Sequence, residues 1–260
     1  MDARRTQYKL LAIVGQTATG KTKLALKLAA EFDGEIITAD SRTIYKGMDI
    51  GTAKPSKEEQ RGIRHHLLDI VEPDQRFTAV DFQRLAKQCI KDIHKRGKLP
   101  ILVGGTGLYI NSILYDYDFA AQGAERDPLN PRHAAKGAGG TKKTLRRSTL
   151  VIGLRVEPVL LRQIISRRVD KMVEAGLVDE VKRLSERYGW QASALQAPGY
   201  KAFLGYLYGT SDLDHAKALF VKNDLQLAKR QWTWFKRNPD IRWYSSADEA
   251  YEDICSILNT

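Results

Sequence analysis

Eight residues, "GQTATGKT" at Gly15–Thr22, restrict the fold of this chain more than any other segment. Gly15, four residues, Gly20, Lys21 and Thr22 fit the phosphate-binding P-loop pattern, which works only where a strand delivers the turn and a helix leaves it. Both neighbours are present. The apolar run Leu10-Leu11-Ala12-Ile13-Val14 precedes the turn, and in Lys21–Phe32 the residues Leu24, Ala25, Leu28, Ala29 and Phe32 recur on one helical face. In that setting the backbone N–H groups from Gly15 to Thr22, added to the positive end of the following helix, make an oxyanion cradle fit for a diphosphate. Gly15, Thr17, Ala18, Thr19, Gly20, Lys21 and Thr22 are therefore the candidate diphosphate-binding residues. Lys21 adds a point charge, and the Thr22 hydroxyl is placed to ligate a Mg²⁺ that bridges phosphate oxygens. The plainer alternative is a glycine turn that merely joins strand to helix.

The rest of the first third alternates apolar runs with amphipathic segments, the pattern of parallel β-α units. Strands are expected at Tyr8–Val14, Glu35–Ala39, Leu99–Val103, Thr149–Leu154 and Ile241–Tyr244. Residues 41–77 are too polar and too interrupted by glycine and proline for a regular element, so they read as a long functional loop with short pieces of structure. A helix follows, with Thr78 as N-cap, Asp81 as its capping partner and Gly97 as its end. Further helices are expected at about Pro158–Ala175 and Leu177–Tyr188, divided by Gly176, and at Leu213–Phe235 and Ala247–Leu258. Residues 120–147, rich in Gly, Ala, Pro and basic residues, carry no apolar period and are either disordered or an excursion that orders on binding. The expected fold is α/β: a P-loop NTPase-like parallel sheet flanked by helices, with a reduced insert and a helical C-terminal part. The divisions are 1–115 for the P-loop core, 116–148 for a reduced basic insert, and 149–260 for the remainder of the core with the helical C-terminal part.

A length of 260 residues suits one large α/β domain or a domain with an appended subdomain. The formal net charge of +11 makes an anionic partner plausible, and residues 121–155, with eight Lys/Arg against Glu125 and Asp127, supply +6 of it. That stretch is either a solvated basic loop or a nucleic-acid contact strip. Cys89 and Cys255 have no paired spacing for zinc or a disulfide framework, which suits a reducing cytoplasm. The basic N-terminus leads through too short an apolar run into the P-loop to be a signal peptide, and no other stretch approaches a membrane span. No feature encodes an oligomer, so a monomer is the default expectation.

A nucleotide-hydrolysing P-loop enzyme normally has a second strand ending in an acid that helps hold Mg²⁺. Here Leu99–Val103 ends in Gly104-Gly105-Thr106, and the strand that ends in an acid is "EIITAD", with Asp40 at the carboxyl edge where open α/β folds bind ligands. Asp40 can order metal-bound water, accept a substrate proton, or cap the next turn.

With "GQTATGKT", the segments "DSRTIYKGMDIGTAKP", "HHLLDIV", "DFQRLA", "LPILVGGTGLYI", "GLVDEV", "GYKAF" and "RQWTWFK" run in one order across nearly the whole chain. In that order they resemble the tRNA dimethylallyltransferases, also called isopentenyl-diphosphate:tRNA transferases. The resemblance implies transfer of a dimethylallyl group from dimethylallyl diphosphate to N6 of adenosine 37, beside the tRNA anticodon, with release of diphosphate. It implies catalytic roles for Asp40, as the base taking the N6 proton, and for Thr106, in the active-site channel. Asp40, Ser41, Arg42, Thr43 and Thr106 are the implied tRNA contacts, the anticodon stem-loop being the partner. The chemistry is coherent: a P-loop with Mg²⁺ neutralises a diphosphate leaving group, and the target base must be extruded from its stack to be reached.

Three features depart from the family pattern. Gln16 and Thr19 replace Pro and Ser, Arg42 and Thr43 replace Met and Gln, and residues 116–148 stand where the family inserts a helical subdomain. The basic strip can take over that subdomain's grip. The tryptophans of "KRQWTWFKRNPDIRW" are expected mainly to pack, with some of its cations on tRNA phosphates. Arg167 or Arg168 is a diphosphate contact or a surface ion pair, and His65 and His66 are structural members of the loop. Two other functions fit parts of the sequence: a P-loop kinase of a nucleoside or small metabolite, and a non-catalytic RNA-binding protein.

Overall fold

In a computed structural model, described over residues 7–119 and 144–259, the chain folds around a six-stranded sheet. Its elements are β1 (Leu10–Gly15), α1 (Lys21–Glu31), β2 (Gly34–Thr38), α2 (Lys57–Gln60), β3 (His65–His66), α3 (Ala79–Lys95), β4 (Leu99–Gly104) and α4 (Gly107–Leu114). After residues 120–143 come β5 (Thr149–Leu154), α5 (Pro158–Glu174), α6 (Leu177–Tyr188), two one-turn helices α7 (Pro198–Lys201) and α8 (Leu204–Leu207), α9 (Leu213–Phe235), β6 (Ile241–Tyr244) and α10 (Ala247–Leu258).

The strand order is β3-β2-β4-β1-β5-β6, and every pairing is parallel. From β1 the chain passes β4's position to build β2 and β3, returns to fill β4, and only later adds β5 and β6 on the other side. The carboxyl end of β1, where the P-loop starts, is thus the place where strand order reverses, and such edges hold ligands. Alternation along β1 feeds two cores. Leu11 and Ile13 pack with Leu24 and Leu28 of α1 and Ile254 and Leu258 of α10, whereas Leu10, Ala12 and Val14 pack with Phe82, Ile90, Ile113 and Phe235. All five β1 residues named are fully buried, as a sheet covered by helices on both faces requires.

A third apolar cluster lies outside the sheet, where α5, α6 and α9 meet the loop after β2: Ile44 and Met48 pack with Ile165, Val169, Val181 and Phe220. It anchors the 41–56 loop against the helical C-terminal part.

Several boundaries match the sequence expectation: β5, β6, α6, α9 and α10 agree at both ends. The capping box forms, with Thr78 Oγ1 accepting from the Asp81 N–H and Asp81 Oδ2 accepting from the Thr78 N–H at 3.0 Å. β1 begins two residues later than expected, at Leu10, and runs to Gly15. The 41–77 stretch is a loop with two short pieces of structure, as expected: the one-turn helix α2 and a strand the sequence did not locate. His65 and His66 form edge strand β3, pairing with Ile36 and Ile37, and His66 Nε2 lies 2.7 Å from Glu35 Oε2. The expectation for residues 120–147 falls largely outside the described residues, as do Lys142 and Lys143 of the basic strip.

Candidate active site

The P-loop takes the cradle shape expected of it. Gly15 has φ 135, and a Cβ there would stand 2.3 Å from the Leu154 carbonyl oxygen, so only glycine fits at the exit of β1. Gly20, at φ 87, caps α1 without a side-chain bond, leaving the helix N–H groups open to an anion. Thr19 Oγ1 donates to the Gln16 carbonyl at 2.9 Å, and the Lys21 ammonium donates to the same carbonyl. Burial pulls Lys21 down to about 8, against the raising pull of Asp40, and Arg168 adds to the lowering.

Asp40 follows β2. Its Oδ1 accepts from the Arg42 N–H at 2.8 Å, so the turn-capping role is real, while no described residue donates to Oδ2. Thr106, at the carboxyl end of β4, is tied to the same turn. Its N–H donates to the Ala39 carbonyl at 3.2 Å, and its Oγ1 accepts from the Ser41 N–H at 3.0 Å. The two catalytic candidates, from adjacent strands β2 and β4, are therefore locked together.

Two adjoining cavities meet at this point. The smaller, about 180 Å³, is lined by Thr17–Thr22, Thr38, Asp40, Thr43 and His65 among others. The larger, about 410 Å³, is lined by Asp40, Ser41, Arg42, Thr106, Met172, Tyr200, Phe220, Leu227, Arg230 and Trp234 among others. Thr17, Asp40, Thr52, Gly105, Arg168 and Gln231 line both. Of the residues after Asp40, Ser41 and Arg42 face the larger cavity. Thr43 lines only the smaller one, where its buried hydroxyl has no hydrogen-bond partner.

Between Arg167 and Arg168 the structure distinguishes clearly. Arg167 is exposed, whereas Arg168 enters the site: its Nη1 donates to Thr17 Oγ1 at 3.1 Å and its Nη2 to Asp224 Oδ2 at 2.5 Å, while its buried Nε has no partner. Burial raises the Asp224 carboxyl, and the Arg168 guanidinium pulls it back. Gln231 Oε1 accepts from the Thr17 N–H at 2.7 Å and so ties α9 to the P-loop. Sequence reasoning missed Asp224 and Gln231, although Gln231 stands in "RQWTWFK", where a buried amide among aromatic residues is a signal. The expected structural role of the histidines agrees with the bonds they make: His65 Nδ1 lies 2.9 Å from the Ile63 carbonyl, besides the His66–Glu35 contact.

Fold and site together define a P-loop α/β enzyme whose phosphate cradle opens, past one carboxylate, onto a larger and partly apolar chamber. A family model described as IPP transferase matches residues 43–147 and 130–238. The chain is 41% identical to the tRNA dimethylallyltransferase of Anoxybacillus flavithermus, over 93% of this chain and 91% of that one. It is 40% identical to that of Carboxydothermus hydrogenoformans, over 97% and 96%. The full-length tRNA isopentenylpyrophosphate transferase of Bacillus halodurans has the same fold, with a TM-score of 0.82 at 36% identity and 96% of both chains covered. The tRNA delta(2)-isopentenylpyrophosphate transferase of Staphylococcus epidermidis gives 0.82 at 34%, over 96% of this chain and 98% of that one. The chain belongs to the IPP transferase family. Membership favours prenyl transfer over the kinase and the non-catalytic RNA-binding readings.

Proposed function

We propose that the chain transfers a dimethylallyl group from dimethylallyl diphosphate to the exocyclic N6 of adenosine 37 in tRNA, releasing diphosphate. The observation that carries this is the position of Asp40, which lines both cavities with one carboxylate oxygen free. The diphosphate sits in the cradle of Gly15, Thr17, Ala18, Thr19, Gly20, Lys21 and Thr22, with Arg168 beside it, while the extruded adenine enters the larger cavity. The allylic C–O bond breaks, the new C–N bond forms, the N6 proton passes to Asp40, and the electron pair leaves with the diphosphate. The Thr106 hydroxyl, bonded to Ser41, holds the Asp40–Thr43 turn against the nucleotide. The apolar walls at Met172, Phe220 and Leu227 shield the partly cationic allyl group from water.

Mg²⁺ fits the smaller cavity. The Thr22 hydroxyl and the unpartnered Thr43 hydroxyl, both lining it, are hard oxygen donors. When bound through Thr22, Mg²⁺ neutralises charge on the leaving diphosphate.

Residues 116–148 are read as a reduced basic insert that helps hold the anticodon stem-loop, between a P-loop core at 1–115 and the remainder at 149–260. Two observations support this. The family match falls into two stretches overlapping at 130–147, and the 284-residue alignment with the Anoxybacillus protein is longer than this chain, so that relative carries additional residues. Neutralising Lys142, Lys143, Arg146 and Arg147 together is expected to weaken tRNA binding and flatten its salt dependence; an unchanged slope would refute the role. The setting that goes with this reading is a monomer in the cytoplasm. No described helix is long and apolar enough to cross a membrane.

The deciding assay incubates the protein with dimethylallyl diphosphate, Mg²⁺ and an unmodified anticodon stem-loop, then weighs the RNA. A prenyl mass increment that disappears in Asp40→Ala is expected. ATP hydrolysis without RNA modification would overturn the proposal.

A further inference from the structure

The aromatic stretch at the end of α9 divides in the structure. Trp232 and Trp243 pack edge to face with centroids 5.0 Å apart, and the Arg155 guanidinium covers Trp232 at 4.9 Å. Trp234 stays out of this cluster: it is 40% exposed and lines the mouth of the larger cavity. A Cβ on Gly107 would lie 2.5 Å from its Cδ1, 2.5 Å from Nε1 and 2.6 Å from Cγ. Three near-equal distances mean that a ring face, rather than an edge, covers Gly107, next to Thr106. The rest of the indole accounts for its 40% exposure and its place in the cavity lining.

Two cations accompany it. Arg230, one turn earlier on α9 and exposed, lines the same cavity, as does Arg42 from the loop after β2. Neither guanidinium has a carboxylate partner among the described residues, in contrast to Arg168, which Asp224 holds. An aromatic face between unpaired guanidinium groups matches the chemistry of single-stranded RNA, a base to stack and phosphates to neutralise. Extruding the target base strips a stacking partner from each of its neighbours, and an indole at the cavity mouth can replace one of them.

We propose that Trp234 is a stacking platform for the base next to the one drawn into the cavity, with Arg42 and Arg230 on the flanking phosphates. The inference rests on the RNA-prenylation reading above. Affinity is measured by anisotropy on a labelled anticodon stem-loop with natural bases and on two versions carrying an abasic site, one on each side of the target, for the wild type, Trp234→Phe and Trp234→Leu. Prenylation is followed in parallel. Base–aromatic stacking of this kind predicts that Trp234→Leu weakens binding of the natural loop by about tenfold or more, while Trp234→Phe keeps most of the affinity. The loss should shrink or vanish on one of the two abasic loops, because indole and base are then one interaction. The KM for dimethylallyl diphosphate should not move. A loss undiminished on both abasic loops, or equal binding by all three proteins, would overturn the proposal. Coupled binding without any prenyl product from the wild type would instead sink the functional reading alone.

Discussion

Glu180, in the first turn of α6, is 4% exposed, and its carboxylate is the anchor of the loop that walls the site. Oε2 accepts from the N–H groups of Asp49 at 2.9 Å and Ile50 at 2.8 Å; Oε1 accepts from the Gly51 N–H at 2.9 Å and the Tyr200 hydroxyl at 2.6 Å. Glu180→Ala leaves four donors without their acceptor. At about 1–3 kcal/mol for each orphaned buried group, and leaving out Asp49, whose exposed position lets water in, the loss is about 3–9 kcal/mol. Glu180→Gln separates the charge from the shape. Its carbonyl can keep the Asp49 and Ile50 bonds and its NH2 can donate to the Tyr200 oxygen, but that NH2 then faces the Gly51 N–H, a donor against a donor, for about 1–2 kcal/mol. Tyr200→Phe removes one bond to a charged group, about 1.5 kcal/mol. Urea unfolding should show midpoints falling in the order wild type, then Gln and Phe close together, then Ala, with the slope unchanged. Gly51 and Thr52 line the larger cavity, so Glu180→Gln should also raise the KM for RNA. A Glu180→Gln protein with the wild-type midpoint would show that the three backbone bonds do not hold the loop.

Other consequences follow from charges elsewhere. Glu35, buried on β2, is held down to about 2 chiefly by its hydrogen bond from Arg96, with His66 adding to it and burial opposing. Its folded value lies below its unfolded one, so its contribution is present above about pH 4.5 and is lost as pH falls toward 2; acid unfolding should lose that steepness in Glu35→Gln. Arg168→Lys cannot span Thr17 and Asp224 with one planar fork, so the KM for dimethylallyl diphosphate should rise about tenfold while RNA affinity holds, and an unchanged KM would remove Arg168 from the diphosphate site.

What the sequence made legible tracks how local the cause is. β5 and β6 were readable because an apolar run of strand length met clear breaks, and α9 because its period of buried residues, Ala216, Phe220, Ala228 and Phe235, persists over 23 residues. Asp40 could be placed since it ends a strand whose neighbours set the sheet edge. β3 was not legible: it is two residues long, polar, and made a strand only by the ladder to Ile36 and Ile37. Asp224 and Gln231 were hidden for a related reason. On a helix with polar residues on several sides, nothing local says which polar residue turns inward. The answer lies in Thr17 and Arg168, 214 residues from Gln231 and 56 from Asp224.

The electrostatics of the cradle explain why an acid as far along the chain as Asp224 belongs to it. A site built to receive a diphosphate must carry positive charge before the ligand arrives, and a buried cation is costly on its own. Lys21 meets that cost by titration: burial brings it down to about 8, so part of the population can give up its proton on the alkaline side of neutrality. Arg168 has no such route, because a guanidinium keeps its proton throughout the accessible range. Its charge has to be balanced by a partner, and Asp224 supplies one from α9 while leaving the buried Nε unpartnered. On the proposed reading, a diphosphate in the cradle would offer both cations a stronger acceptor, raising Lys21 again and using the donor Arg168 has left over. In the proposed reaction Asp40, whose Oδ2 receives no bond from a described residue, takes the N6 proton while these cations take the leaving-group charge. Because β2 and β4 are neighbours, Thr106 braces the Asp40 turn through the Ser41 N–H, while Arg168 is held separately by Asp224 from α9.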